Sequence, residues 1–411
     1  MRIIGFITEY NPFHKGHLLH LNKSKELSSA THTIAIMSGS FVQRGEPAII
    51  DKWSRAKMAI ENGIDLVIEL PVVYAVSSAE LFALGGVKIL NSLNCVDYLG
   101  FGCEVGIIEP LDRIANVLVN ESEEFKIVLK NHLSSGMSFA QSRSVALDFV
   151  LKDVDYNYSD IVSKSNNILG IEYLKALKSL NSTITPITFS RIGSEYNDLS
   201  TDVEIASATA IRNLILAEGL DKAEALLPKP SYEILVEFLN KYKNFNTIEN
   251  YKDILGYLLL SIGEDRLSQY FDVEIGMENR LKNIELIEYT IEELIKSASS
   301  KRITSSRIRR LLVHMLLDID KEMISSAKIM KPSFIRILGS NKKGFEIINK
   351  IKENSDVEII TKFSTSKSLS NQEDLNILEK EILATNVFYY GINKALVKSD
   401  YDYINTIYTK K

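Results

Sequence analysis

The sequence predicts an α/β protein: a parallel sheet with crossover helices in the N-terminal part, then a mainly helical C-terminal domain with a small strand-helix-strand unit. Three observations lead there. Up to about residue 105, short apolar runs alternate with segments of helical period; from Glu109 to about Val150 the pattern turns helical and more polar; and Pro228 and Pro230 interrupt helical pattern on both sides.

Taken in order, strands are expected near 2–8, 33–38, 65–69 and 96–101. Helices near 16–29, 53–62 and 77–92 lie between them, each long enough for a right-handed crossover. Residues 109–180 read as a helical insertion, after which the apolar run Ile184–Phe189 returns to the sheet. The Leu227-Pro-Lys-Pro-Ser231 segment divides the chain into domains 1–227 and 228–411. Beyond it, amphipathic helical pattern covers 249–298 and 303–318. A strand at Phe334–Leu338, a helix at Gly344–Lys352 and a strand at Val357–Thr361 follow.

A chain of 411 residues is long for one core and suits two domains. Hydrophobic residues at 45% and charged residues at 25% exclude wholesale disorder. A net charge of -5 gives no global reason to expect nucleic acid, so any RNA contact must come from a local basic surface. Cys95 and Cys103 have neither the count of a disulfide framework nor zinc-site spacing, which points to a reducing compartment. The apolar N-terminus is cut short by Thr8 and Glu9, and no run approaches the roughly 18 apolar residues that span a bilayer. A cytoplasmic protein without membrane contact is expected.

The stretch Thr8-Glu9-Tyr10-Asn11-Pro12-Phe13-His14-Lys15-Gly16-His17 falls between the first strand and the first helix. Ligands of open parallel sheets bind at the carboxyl ends of strands, and a helix N-terminus presents N–H groups and a positive dipole end to phosphate. Two imidazoles three residues apart can reach one phosphate chain, and Gly16 lets a flat base approach the backbone. His-x-Gly-His arises often by chance as an isolated quartet of loop residues; its place after an apolar strand and at a helix start gives this one weight.

Asn11-Pro12-Phe13-His14-Lys15-Gly16-His17 resembles the signature of the nucleotidyltransferase superfamily of cofactor adenylyltransferases and class I aminoacyl-tRNA synthetases. A second superfamily motif, Ser-x-Thr-x-Ile/Val-Arg, is matched by Ser207-Ala208-Thr209-Ala210-Ile211-Arg212. Its hydroxyls and arginine at a helix start would hold the β and γ phosphates as pyrophosphate leaves, although Ser207 and Thr209 taken alone read as helix caps. Further pieces resemble one family, the bacterial tRNA(Met) cytidine acetate ligases, over nearly the full chain: Ser38–Pro47, Asp65–Pro71, Phe101–Glu104, Ser165–Gly170 and Ser190–Gly193.

This resemblance implies a Rossmann-like nucleotidyltransferase domain that joins acetate to AMP from ATP. The acetyl group then passes to N4 of the wobble cytidine of elongator tRNA(Met). It implies an ATP pocket made by Ile7, Thr8, Glu9, Tyr10, Asn11, Pro12, Phe13, Gly16 and His20, with Gly102, Asn167, Arg191 and Ile192, and with Ser207, Thr209 and Arg212 from the second motif. His14 and His17 would stabilise phosphate charge with help from Lys15, and Mg2+ would travel with the triphosphate, no all-protein metal site being evident. Serine is expected where Cys103 stands.

Gln43 and Arg44 in the Ser38–Pro47 loop are candidates for acetate binding; Arg44 is either an acetate-neutralising cation or a solvated loop arginine, and no spacing rule separates the two. Asp51 reads as an N-cap. The basic segment Lys301, Arg302, Arg307, Arg309 and Arg310 is assigned to tRNA backbone contact, against the alternative of a solvated basic helix face. An adenylyltransferase making a nucleotide cofactor would use the same two motifs, and a non-catalytic ATP-sensing RNA-binding module would keep them without turnover. Monomer and homodimer both stay open.

Overall fold

The computed structural model describes residues 1–152, 156–190, 206–284, 289–301, 303–363, 369, 371–395 and 401–410. Its centre is an eight-stranded sheet. β1 (Ile3–Thr8), β2 (His32–Ser38), β5 (Leu66–Leu70), β6 (Tyr98–Cys103) and β7 (Thr185–Ser190) run parallel in the order β5-β2-β1-β6-β7. β3 (Phe41–Val42) and β4 (Glu46–Pro47) form a separate hairpin above it. β1, β2 and β5 read as nearly unbroken apolar runs because helices cover the sheet, and Ile34 to Met37 and Leu66 to Ile68 are fully buried.

The first strand sits in the middle, with β2 on one side and β6 on the other. Strand order reverses there, which makes the carboxyl ends of β1 and β6 the place where open parallel sheets form their ligand crevice. The helices Lys15–Ser28, Lys52–Glu61 and Ala79–Ser92 connect successive strands as their spacing predicts. Strand six starts later than the apolar run at 96 suggests, because the Asp97 carboxylate accepts the Ile3 N–H at 2.7 Å and turns the chain into the sheet.

Residues 109–180 form the connection from β6 to β7, elaborated into helices Glu109–Val119, Glu123–Ser134, Phe139–Leu151, Tyr158–Ile161 and Ser165–Ser179. The last of these packs on Ala79–Ser92. Amphipathic pattern over 249–298 resolves into short helices, Lys252–Ser261, Glu264–Gln269, Met277–Lys282 and Ile291–Ala298. Asp272 at φ 73 and Gly276 at φ 88 take left-handed backbone that a continuous helix cannot accommodate.

The sheet extends across the Pro228 segment. β8 (Phe334–Ser340) lies antiparallel beside β5, with Ile68 opposite Ile337, and is joined by β9 (Glu358–Ile360) and β10 (Tyr408–Thr409). The strand-helix-strand unit of the C-terminal half thus completes the sheet that carries the N-terminal motifs. Burial of β8 against β5 is the reason: Ile335, Ile337 and Leu338 are core residues of the same cluster as Ile68.

Candidate active site

After β1 the backbone turns at Tyr10, φ 46, passes the cis Asn11–Pro12 bond and enters the first helix through His14. Asn11 is buried. Its Oδ1 accepts the Ile49 N–H at 2.8 Å, while Nδ2 has no partner within the described protein, a donor fit for a ligand oxygen.

The two histidines build the helix cap themselves. His14 Nδ1 accepts the Gly16 N–H at 3.0 Å, and His17 Nδ1 accepts the His14 N–H at 3.3 Å. With Nδ1 accepting in each, a neutral ring carries its proton on Nε2, so both present donors away from the cap. The ring centroids are 3.8 Å apart. Tyr10 and Phe13 pack on His17 at 5.0 and 5.6 Å, which fixes its ring plane. Lys15, at the first helical position, is exposed. His20, one turn on, packs between Phe6 and Phe189 at 5.4 Å from each.

The second motif meets the first. Ser207 caps the helix Ala208–Glu218, accepting from Ala210 N–H at 3.2 Å. One turn in, Arg212 donates through Nη1 to the carbonyl of Asn11 at 2.9 Å and through Nη2 to Thr209 Oγ1 at 3.4 Å, and Nη2 lies 3.3 Å from Glu46 Oε2. A cation, a hydroxyl and a doubly histidine-capped helix N-terminus therefore face one place at the carboxyl end of β1. Such a place suits a polyphosphate.

The hairpin after β2 closes over this place. Gln43 N–H donates to Glu9 Oε1 at 2.7 Å, and the Gln43 side chain donates to the Ser77 carbonyl at 3.0 Å. Gln43 is thus engaged in holding the hairpin to Glu9 and to the residues after β5, while Arg44 stands half-buried near Glu9. Withdrawal from solvent pushes the Glu9 carboxyl above its ordinary range, opposed by the Gln43 N–H and by Arg212, Arg44 and Arg55.

Arg55 escaped the sequence reading, which saw only a helix start around Asp51. Asp51 does cap that helix, accepting from Trp53 and Ser54 N–H at 3.0 Å. Arg55, fully buried, donates to the carbonyls of Glu9 at 2.6 Å, Ile50 at 3.3 Å and Gly39. It ties the ends of β1 and β2 to the loop before the helix. Burial lowers its pKa to about 10, so it stays charged at neutral pH.

At the end of β6, Asn167 Oδ1 accepts the N–H groups of Glu104 and Val105 at 2.9 and 3.2 Å, and Nδ2 donates to Ile161. Its amide is consumed in shaping the loop after Gly102, so it acts on that crevice through the backbone it holds. The buried Cys103 Sγ accepts from Gly106 N–H and Thr188 Oγ1, each at 3.2 Å, as a serine oxygen would. Burial raises its thiol pKa. Arg191, Ile192 and Arg302 lie outside the described residues.

The basic segment departs from expectation. Arg307 binds Glu274 and the Asp272 carbonyl, Arg310 is buried against Asp272 at 2.9 Å, and Arg309 pairs with Glu292 and lies 3.4 Å from Glu46. These three arginines fasten the helix Ser305–Leu317 to its neighbours instead of forming an open phosphate-binding face; the acids come from distant parts of the chain, invisible in a local charge count. Lys301 remains exposed. His314 packs inside this helix, as its apolar surroundings suggest.

Among the described residues no group of three or more His, Cys, Asp and Glu could hold a metal ion, and no helix is long and apolar enough to cross a membrane.

A family model described as HIGH Nucleotidyl Transferase matches residues 1–402. The tRNA(Met) cytidine acetate ligase of Thermoanaerobacter sp. (strain X514) is 46% identical over 389 residues, covering 94% of this chain and 95% of its own. That of Clostridium perfringens (strain ATCC 13124) is 42% identical over 409 residues, covering 98% of each. The crystal structure of Thermotoga maritima TmcAL bound with alpha-thio ATP is 32% identical with a TM-score of 0.90 over 100% of both chains. The apo form I of the same protein gives 0.93 over 100% of this chain and 99% of its own.

Proposed function

The chain belongs to the HIGH nucleotidyl transferase family and, within it, to the tRNA(Met) cytidine acetate ligases, and from that premise we propose that it activates acetate with ATP and acetylates N4 of the wobble cytidine of elongator tRNA(Met). An acetate oxygen attacks the α-phosphorus, forming acetyl-adenylate as the bond to pyrophosphate breaks. The cytidine amine then attacks the acetyl carbon, AMP leaves, and the amine gives up a proton. Neither step needs a protein nucleophile.

What the protein supplies is placement and charge. His14 and His17 offer Nε2 donors to the phosphates, Lys15 and Arg212 spread the charge that builds on departing pyrophosphate, and Thr209 and the helix N-termini bind its oxygens. Ile7, Thr8, Pro12, Phe13, Gly16 and Gly102 border the crevice where adenosine lies. Arg44 neutralises acetate beside Glu9. Mg2+ would travel with the triphosphate and shield its charge, since no cluster of three or more metal-ligating side chains stands among the described residues. Lys301 contributes to tRNA contact. A cytoplasmic location follows from the RNA substrate.

The contact between Arg212 and Asn11 carries this reading, because it brings the two motifs together, as binding of one triphosphate by both requires. The test is incubation with ATP, radiolabelled acetate and total tRNA. Label recovered as N4-acetylcytidine is expected; ATP turnover that proceeds equally without acetate would overturn the assignment.

A further inference from the structure

Glu46 stands between two arginines from opposite sides of the Pro228 segment. Its Oε2 lies 3.3 Å from Arg212 Nη2 and its Oε1 lies 3.4 Å from Arg309 Nη1. Arg212 reaches the histidine loop through the Asn11 carbonyl, and Arg309 belongs to the helix Ser305–Leu317. The hairpin that carries Glu46 is pressed onto that helix. Gly45, φ +78, leaves so little space that a Cβ there would come within 2.3 Å of the Arg310 nitrogen and 2.4 Å of the Arg309 carbonyl carbon. Hairpin and helix must therefore move together.

A carboxylate has the same sign as phosphate and acetate and cannot bind either. Its effect on the reaction must pass through a cation. A guanidinium is a planar fork, and Arg212 is oriented by three acceptors: the Asn11 carbonyl, the Thr209 hydroxyl and Glu46. Only Glu46 is charged. Because Glu46 is shared with Arg309, Arg212 is held in plane without being fully neutralised, and its field is left for the phosphates.

We propose that Glu46 is a positioning residue for adenylate formation, acting through Arg212, and that Arg309 tunes it from the C-terminal helix. This rests on the ligase reading above. It makes the placement of the helix Ser305–Leu317 felt at the nucleotide.

The test is acetate-dependent ATP–pyrophosphate exchange with E46Q, R309Q and the double variant, alongside thermal melting. E46Q raises KM for ATP about fivefold and lowers kcat, leaves KM for acetate within twofold, and melts close to the parent. R309Q raises KM for ATP by a smaller factor, and the double variant is no worse than E46Q. An unchanged KM for ATP in E46Q, an equal rise in both KM values, or losses that multiply in the double variant would each overturn the proposal. If E46Q does not fold, the split is read in R309Q, whose helix keeps Arg307 and Arg310. If the parent shows no acetate-dependent exchange, the ligase reading fails, and ATP binding by calorimetry decides the relay: about fivefold weaker in E46Q upholds it, equal affinity ends it.

Discussion

Arg212 donates to the carbonyl of Asn11 at 2.9 Å, across 201 residues of chain. Its remaining donors lie beside Thr209 and the capped start of the first helix, where departing pyrophosphate would accumulate charge. Arg212→Ala should slow acetate-dependent pyrophosphate exchange by about 10²-fold, in line with loss of one preorganised transition-state donor. Arg212→Lys should recover only part of this, since an ammonium cannot meet Asn11, Thr209 and phosphate in one plane. Equal rates for the lysine variant and the parent would show that charge alone suffices.

His14 has two duties that a substitution can separate. It caps the first helix through Nδ1, which leaves Nε2 as the nitrogen that carries the proton. Asparagine is among the best N-caps, so His14→Asn should keep urea stability within about 1 kcal/mol of the parent while exchange activity falls by about 10²-fold or more. His17→Ala should abolish adenylate formation and spare RNA binding. Gel-shift with tRNA and the exchange assay on the same preparations check both.

Gly45 must remain glycine for two reasons at once: φ of +78, and the backbone of Arg309 and Arg310 against it. Gly45→Ala should cost roughly 2–5 kcal/mol, from backbone strain plus overpacking. Gly136 is the control. It also has positive φ, 91°, but a Cβ there meets nothing within 4 Å, so Gly136→Ala should cost only about 1 kcal/mol. Urea midpoints that shift equally for the two would refute the packing argument.

The parts of the fold visible in sequence are those whose signal is local. β1, β2 and β5 are nearly unbroken apolar runs because both faces are covered, and the helices between them carry their own period. His14 and His17 were legible because the cap, the strand before it and the motif occupy one short stretch. The strand at Phe334–Leu338 is legible, but nothing local announces that Ile337 will pair with Ile68, and its antiparallel place beside β5 is for that reason absent from the sequence reading. Charge misled similarly. Arg307, Arg309 and Arg310 look like a phosphate-binding face until Asp272, Glu274, Glu292 and Glu46 arrive from elsewhere. Arg55 hid because its partners are backbone carbonyls, which leave no trace in residue type.

The same long-range pairing creates a titratable group deep in the protein. Lys52 lies 2.7 Å from Glu69 and 2.9 Å from Asp402, and Arg336 lies 3.1 and 2.6 Å from the same two carboxylates. Glu381, buried beside Glu69, accepts the Val72 N–H. Three carboxylates then share two cations, and a proton on Glu381 balances the cluster. Burial first, and Glu69 second, push the Glu381 carboxyl well above its ordinary value of 4.5. A folded pKa above the unfolded one means that the native state binds more protons, so this contribution is fully present below about pH 4.5 and is lost as pH rises through the folded value. Glu381→Gln keeps an acceptor for Val72 and a donor toward Glu69 without the ionisation. It should flatten the decline of stability at rising pH and equal or exceed the parent at pH 9. Glu381→Ala, leaving the Val72 N–H buried and unpaired beside a cavity, should cost about 2–4 kcal/mol at every pH. Urea midpoints from pH 5 to 9 decide it, and a Glu381→Gln curve parallel to the parent's would mean that Glu381 is ionised throughout.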